Sequence, residues 1–222
     1  MRIAFISDIH GRLASLDAVL RDIDRVGVDE VICLGDVATM GDEPRQVIDG
    51  LRELGCPCIL GNHDEFLLRP GLAREVYGKI PAVCEDVECQ AEALTDDDLN
   101  YLRSFMPSMF VDLPGGARLM AFHGTPDSNM RMLMSDTSSD ELDDIFEGHT
   151  ADVMIGGHTH EQMLRRHRDM LVVNAGSVGM PWVLPFDGWE TGCPSIAAWA
   201  EYAVVNADTH SVAVELRRVA LD

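Results

Sequence analysis

Five short apolar runs, each stopping at a polar segment that contains glycine, recur along the first 160 residues. They occupy positions 3–6, 31–34, 58–60, 119–122 and 153–155. Each is brief and rich in β-branched or other apolar residues, which predicts a buried strand. Between the first two, Leu13, Leu16, Val19, Leu20 and Ile23 share one helical stripe and predict a helix over 13–25. Positions 43–54 repeat the arrangement, with Pro44 suited to a first helical turn and Gly55 just past the end. Strand, helix, strand in this order is a β-α-β unit, whose crossover is expected to be right-handed.

The pattern loosens over 66–107, where two helices are expected, near 73–78 and 95–105, beside the mouth of the strand-end crevice. From Met109 onward it turns toward β structure. Pro114-Gly115-Gly116 reads as a hairpin turn. Ser138 with Glu141 is a capping-box pair that opens a helix to about Phe146. Segments 162–166 and 171–174 read as a second hairpin around the charged turn 167–170. Two final strands, 197–206 and 211–219, turn at 207–210. With no repeat, low-complexity tract or linker, positions 1–222 are expected to form one α/β domain.

Composition narrows the function classes. Against 38 acidic residues stand 17 basic ones, a net charge of −21, and Lys79 is the only lysine. So acidic a surface repels the nucleic-acid backbone, and long polynucleotides are not expected as partners. No apolar stretch approaches the roughly 18–20 residues of a membrane span. The N-terminus enters a strand with no signal-peptide features, so a cytoplasmic location without membrane contact is expected. The six cysteines (33, 56, 58, 84, 89 and 193) do not follow a secreted-scaffold pattern and read as reduced thiols. Cys56-Pro57-Cys58 lacks thioredoxin-like spacing.

The chemistry lies where the runs end. The segments there are Asp8-Ile9-His10-Gly11, Gly35-Asp36, Gly61-Asn62-His63-Asp64, His123-Gly124 and Gly157-His158-Thr159-His160. Taken alone, each reads equally as a turn using Gly, Asn or Asp for unusual backbone angles. Together they sit beyond the carboxyl ends of strands, where an open α/β sheet gathers ligands in one crevice. Five histidines fall in these segments; His149, His167 and His210 fall outside and read as surface or structural residues. Asp, His and Asn meeting in one crevice form a metal site, and imidazole with carboxylate and amide oxygen suits Mn, Fe, Zn, Ni or Co.

This set of motifs resembles the calcineurin-like metallophosphoesterases, marked by D-x-H, G-D, G-N-H-[DE], a later His and G-H-x-H. The resemblance runs from Arg2 to about Val183. Chain length and the N-A-G-S-V-G run at 174–179 place it nearest the small single-domain bacterial and archaeal phosphodiesterases. It implies a four-layer α/β/β/α sandwich of two mixed sheets flanked by helices. It also implies two divalent metal ions, Mn first among the candidates. One ion would take Asp8, His10, Asp36 and His160; the other would take Asp36, Asn62, His123 and His158. Asp36 would bridge them through its two oxygens. Two such ions roughly 3.5–4 Å apart acidify a bridging water into the attacking hydroxide and hold the phosphoryl oxygens. His63 would then donate to the phosphate or leaving alkoxide, oriented by a hydrogen bond to Asp64, with Asn62 and His63 both touching substrate. The implied activity is hydrolysis of small phosphodiesters or nucleotides. A phosphomonoesterase, a dinucleoside polyphosphate hydrolase and a non-catalytic binding scaffold on the same fold are the alternatives; retention of His63 disfavours the scaffold.

Gly11, Gly35, Gly61, Gly124 and Gly157 read as supports that allow close packing or unusual angles beside the ligands. Asn174 and Ser177 either buttress the site from behind or form a plain turn. One departure stands out: the branch often continues G-S-V-G with Gln-Pro-Arg, whereas here Met180-Pro181-Trp182 follows. Trp182, Phe186 and Trp189 would either stack on a nucleobase or aryl leaving group or pack on the body or a second subunit of a homo-oligomer.

Overall fold

The computed structural model describes residues 1–183 and 195–221. In chain order the elements are β1 (Arg2–Ile6), α1 (Leu13–Val26), β2 (Glu30–Cys33), α2 (Pro44–Leu54), α3 (Asn62–Leu68), α4 (Pro70–Tyr77), α5 (Pro81–Ala93), α6 (Asp96–Arg103), β3 (Ser108–Asp112), β4 (Arg118–Phe122), α7 (Ser139–Ile145), β5 (Val153–Gly156), β6 (Met163–His167), β7 (Met170–Asn174), β8 (Trp199–Ala207) and β9 (Val212–Ala220). One sheet has the order β2-β1-β8-β9 and the other β3-β4-β5-β7-β6. Both are mixed: β1 runs parallel to β2 and antiparallel to β8, while β4, β5 and β7 run parallel between antiparallel edge strands.

Strand alternation explains the layering. In β1, Ile3 and Phe5 face the space between the sheets, where they join Leu119, Ala121, Val153 and Ile155. Ala4 and Ile6 face the other way and pack with Leu16, Val19, Ile48 and Leu51 of α1 and α2. In β4 the same alternation sends Met120 and Phe122 outward against Leu142 and Ile145 of α7. Each inner strand is therefore buried on both faces, which is why these runs are continuously apolar. The result is the four-layer α/β/β/α arrangement.

Helices α1 and α2 form where the apolar stripe places them, and Gly55 closes α2 in the left-handed conformation at φ 66°. Ser138 caps α7 by accepting the Glu141 backbone N–H at 3.2 Å. Two expectations need correction. The run 58–60 is too short for a strand: bounded by Pro57 and Gly61, it makes only single parallel bridges, Cys58 to Cys33 and Ile59 to Met106. The region after it holds four helices, α3 to α6, rather than two. Pro70 and Pro81 stand in the first turns of α4 and α5, a start signal diluted in the sequence by the acidic, weakly amphipathic composition of the region. Helix α3 begins at Asn62 itself, so G-N-H-D is a helix start and not only a loop.

Candidate metal centre

The loops after β1, β2, β4 and β5, with the start of α3, converge as the strand directions require. Backbone bonds weld them together: Asp8 N–H donates to Gly35 O at 2.9 Å, His10 to Asp36 O at 3.0 Å, Gly157 to His123 O at 2.8 Å and Gly179 to Asp8 O at 3.0 Å. The segment 174–179 does buttress the site. Asn174 Nδ2 donates to Gly157 O at 2.6 Å and to Thr159 Oγ1 at 2.9 Å, and Ser177 Oγ donates to Asp8 O at 2.8 Å.

The convergence strains the backbone locally. Asp8, His10, Asp36, His158 and His160 all adopt positive φ, between 50° and 70°. Non-glycine residues rarely hold that conformation, and where they do, strain clusters at functional sites. The unusual angles thus fall on the ligand candidates themselves as well as on the glycines beside them. Gly61 and Gly157 serve by close approach: a Cβ at Gly61 would collide with the Asp36 carboxylate, and one at Gly157 with Ser7 and Asp8.

The seven predicted ligand residues come together in two groups. In the first, Asp8, His10 and His160 bring their ligand atoms within 4.8 Å of one another; in the second, Asp36, His123 and His158 do the same. His160 Nε2 lies 3.2 Å from Asp8 Oδ1 and 3.1 Å from His10 Nε2. His123 Nε2 lies 3.3 Å from Asp36 Oδ2 and 3.1 Å from Asn62 Oδ1. Asp36 Oδ2 also lies 3.9 Å from His10 Nε2, between the groups. Its other oxygen, Oδ1, accepts the backbone N–H of His63 at 2.8 Å. Asp36 thus stands between the two groups, with Oδ2 toward both His10 and His123 and Oδ1 on the backbone of the G-N-H-D segment.

The imidazoles are held in the tautomers a cation needs. His123 Nδ1 donates to Leu34 O at 2.8 Å, His160 Nδ1 to Met180 O at 2.8 Å and His158 Nε2 to Met130 O at 3.2 Å. A carbonyl can only accept, so in each neutral ring the opposite nitrogen presents a lone pair to the centre. Lone pairs of His123, Asp36 and Asn62 would then point at one another, an arrangement that calls for positive charge between them. Asp8 Oδ1 is buried with no aligned hydrogen-bond donor. These donor sets fit two divalent cations.

Electrostatics agree. Burial pushes the Asp8 and Asp36 carboxyls up, but His160 beside Asp8 and His123 beside Asp36 outweigh it and hold both well below the usual carboxylate range. Burial likewise depresses His123, yet Asp36 more than compensates and drives it up to about 10. His160 is raised in the same way, against burial, by Asp8. Burial brings His10 down to about 3 and His158 to about 4, helped by the neighbouring imidazoles. Asp36 and Asp8 thus favour positive charge at His123 and His160, the kind of charge that bound cations would supply there.

His63 belongs to neither group. Its ring centroid lies 5.1 Å from that of His10, nearly perpendicular to it, and it packs against Phe66 at 5.3 Å and Tyr77 at 6.0 Å. The expected hydrogen bond to Asp64 is not formed. Consecutive residues of a helix point to different sides, and the buried Asp64 carboxylate instead accepts the backbone N–H groups of Asp36 (2.8 Å), Val37 (2.9 Å) and Gly61 (3.0 Å). Burial and the Asp36 charge push Asp64 up to about 7. The partner of His63 is Thr39, whose Oγ1 lies 3.0 Å from His63 Nδ1 and 3.2 Å from His10 Nδ1. Burial holds His63 below its ordinary value, with Asp36 pulling the other way. Sequence reasoning misses Thr39, which stands outside the G-D segment, and Tyr77, fourteen positions beyond His63 with no pattern to connect them.

Trp182 forms a single bridge with Ile196, and its ring centroid lies 5.0 Å from that of His160. It therefore packs on a candidate ligand. Phe186 and Trp189 lie outside the described residues.

Comparison with known proteins gives the same picture. The fold is shared with solved structures, among them the following three. A hypothetical protein of Pyrococcus horikoshii aligns with TM-score 0.81 and 18% identity, over 100% of this chain and 88% of its own. A metallophosphoesterase of Sphaerobacter thermophilus aligns with TM-score 0.72 and 23% identity, over 100% and 90%. An archaeal phosphodiesterase aligns with TM-score 0.52 and 17% identity, over 98% and 100%. The family model for the calcineurin-like phosphoesterase superfamily domain matches residues 1–186, which takes in every ligand candidate. The chain belongs to the calcineurin-like phosphoesterase superfamily.

Proposed function

We propose that this protein hydrolyses small phosphodiesters, including nucleotide diesters, at a centre of two divalent cations, with Mn²⁺ as the resident ion. The observation that carries this reading is the pair of buried ligand groups meeting at Asp36 Oδ2, with His63 beside them and in neither. Asp8, His10, Asp36 and His160 would hold one ion, and Asp36, Asn62, His123 and His158 the other. Such a pair of cations supplies Lewis acidity, neutralising the phosphoryl oxygens and acidifying water to a nucleophile near neutral pH. The chain supplies the rest. Imidazoles fixed by backbone carbonyls keep the centre from reorganising, and His63, with Nδ1 engaged by Thr39, offers Nε2 to the leaving oxygen.

Net charge selects among esters. A chain at −21 repels a dianionic monoester or a polyphosphate more than a singly charged diester, and long polynucleotides most of all. The likeness in fold to an archaeal phosphodiesterase supports the same choice. The reduced thiols Cys33, Cys56 and Cys58 fit a cytoplasmic setting. The test is a matched panel with the Mn-loaded protein: bis(p-nitrophenyl) phosphate, p-nitrophenyl phosphate and a dinucleoside polyphosphate. The diester is expected to show the highest kcat/KM. A monoester preference overturns the diester assignment, and no turnover on any of them favours the scaffold.

A further inference from the structure

Thr39 lies at the midpoint of a contact chain that no motif contains. It is fully buried, and its one hydroxyl touches two imidazoles through the same kind of atom, His10 Nδ1 at 3.2 Å and His63 Nδ1 at 3.0 Å. A hydroxyl has one proton to give and two lone pairs to receive, so the direction of one bond constrains the other. The direction is set at His10. Its Nε2 faces His160 Nε2 at 3.1 Å and the Asp8 and Asp36 carboxylates at 3.9 Å. With a cation held by this group, His10 Nε2 carries a lone pair and the His10 proton must sit on Nδ1. That N–H donates to Thr39 Oγ1. The Thr39 hydroxyl proton is then directed to His63 Nδ1, which accepts, and the single proton of neutral His63 is left on Nε2.

We propose that Thr39 is a positioning residue that fixes the tautomer of His63, transmitting the orientation of His10 so that His63 presents an N–H at Nε2. The idea rests on the metal-centre reading above and deepens it. It also explains how His63 is oriented when the adjacent Asp64 is engaged by backbone amides. Phe66 and Tyr77 restrict the ring, and Thr39 decides which nitrogen carries the proton.

The test uses the full chain loaded with Zn²⁺, which is diamagnetic, and ¹⁵N-labelled histidine. In the parent protein the ring-nitrogen shifts of His63 should show a protonated Nε2 and a lone pair on Nδ1. Thr39→Val, which removes both bonds at nearly constant volume, should abolish that preference, and Thr39→Ser should restore it. With saturating Mn²⁺ and an alkyl diester, kcat of Thr39→Val should fall roughly 10- to 100-fold with KM within about threefold, part of the full general-acid effect, and Thr39→Ser should return to within about threefold of the parent. A His63 proton on Nδ1 in the loaded parent overturns the proposal. So does a Thr39→Ser variant as impaired as Thr39→Val, or a Thr39→Val variant with parental shifts and kcat. If the parent hydrolyses no ester, the functional reading fails, while the nitrogen shifts still decide the tautomer.

Discussion

The Asp64 carboxylate accepts the backbone N–H of Asp36 at 2.8 Å, tying the start of α3 to the loop that carries the shared ligand candidate. With the Val37 and Gly61 N–H groups on the same carboxylate, Asp64 acts as a clamp on the ligand loop. Asp64→Asn would turn an amide NH₂ toward donors, at a cost of about 1–3 kcal/mol for the groups left unpaired. The melting temperature should drop by roughly 2–4 °C per kcal/mol for a chain this size, and Mn occupancy should fall with it. Calorimetry and metal analysis check this. Full occupancy with unchanged melting, and a defect confined to poor leaving groups, would restore Asp64 as the orienting partner of His63.

His63→Ala is expected to behave in the opposite way. Both ions should be retained, while turnover falls roughly 10²–10⁴-fold, most on alkyl esters whose leaving groups need a proton. Steady-state kinetics on an alkyl and an aryl diester, with metal content measured on the same samples, separates the roles. Turnover lost only in proportion to metal would make His63 structural.

For Trp182 the sequence leaves two roles open, stacking on substrate and packing on the protein. Its ring lies 5.0 Å from that of His160, so Trp182→Ala is expected to loosen a ligand candidate and lower turnover on aryl and alkyl diesters about equally. A KM increase restricted to the aryl ester, in the range of about five- to a hundred-fold that base stacking supplies, would show that the ring also holds the leaving group.

Much of the site is legible in the amino-acid sequence, for a physical reason. Inner strands buried on both faces must be apolar throughout, and polar residues that interrupt them at the carboxyl end have little to do but bind. That pattern locates Asp8, His10, Asp36, His123, His158 and His160, whereas Asn62 follows a run that forms no strand and is marked by its G-N-H-D segment alone. What stays hidden depends on side-chain direction and backbone sign. Nothing in G-N-H-D shows that Asp64 turns away from His63, and nothing in G-D-V-A-T shows that Thr39 faces two imidazoles. The positive φ of five ligand candidates is equally invisible, because Asp and His carry no marker for it as glycine does.

Away from the site, a buried ionic network makes a pH-dependent prediction. Tyr202 OH donates to Asp22 Oδ2 at 2.8 Å, and Arg217 Nε and Nη2 both donate to it at 3.1 Å. Burial raises the Asp22 carboxyl, but Tyr202 and Arg217 outweigh it and hold it below the usual carboxylate range. A depressed carboxyl stabilises the fold above its unfolded value, and the contribution disappears as pH falls through the folded value. Asp22→Asn should therefore lower stability by about 1–3 kcal/mol at pH 7, with the gap to the parent narrowing below about pH 4. Urea unfolding at pH 7 and pH 3.5 tests this. A gap of the same size at both would assign the loss to packing.

If the buried carboxylates and imidazoles form one two-ion centre on which hydrolysis depends, activity must track the filling of that centre. The decisive experiment titrates Mn²⁺ into the chelator-treated protein while bound metal and diester turnover are followed in the same samples. The expected outcome is no turnover without metal, saturation at two ions per chain and full activity only as the second site fills. Saturation at a single ion per chain, or turnover that persists after both ions are removed, would contradict the two-ion centre.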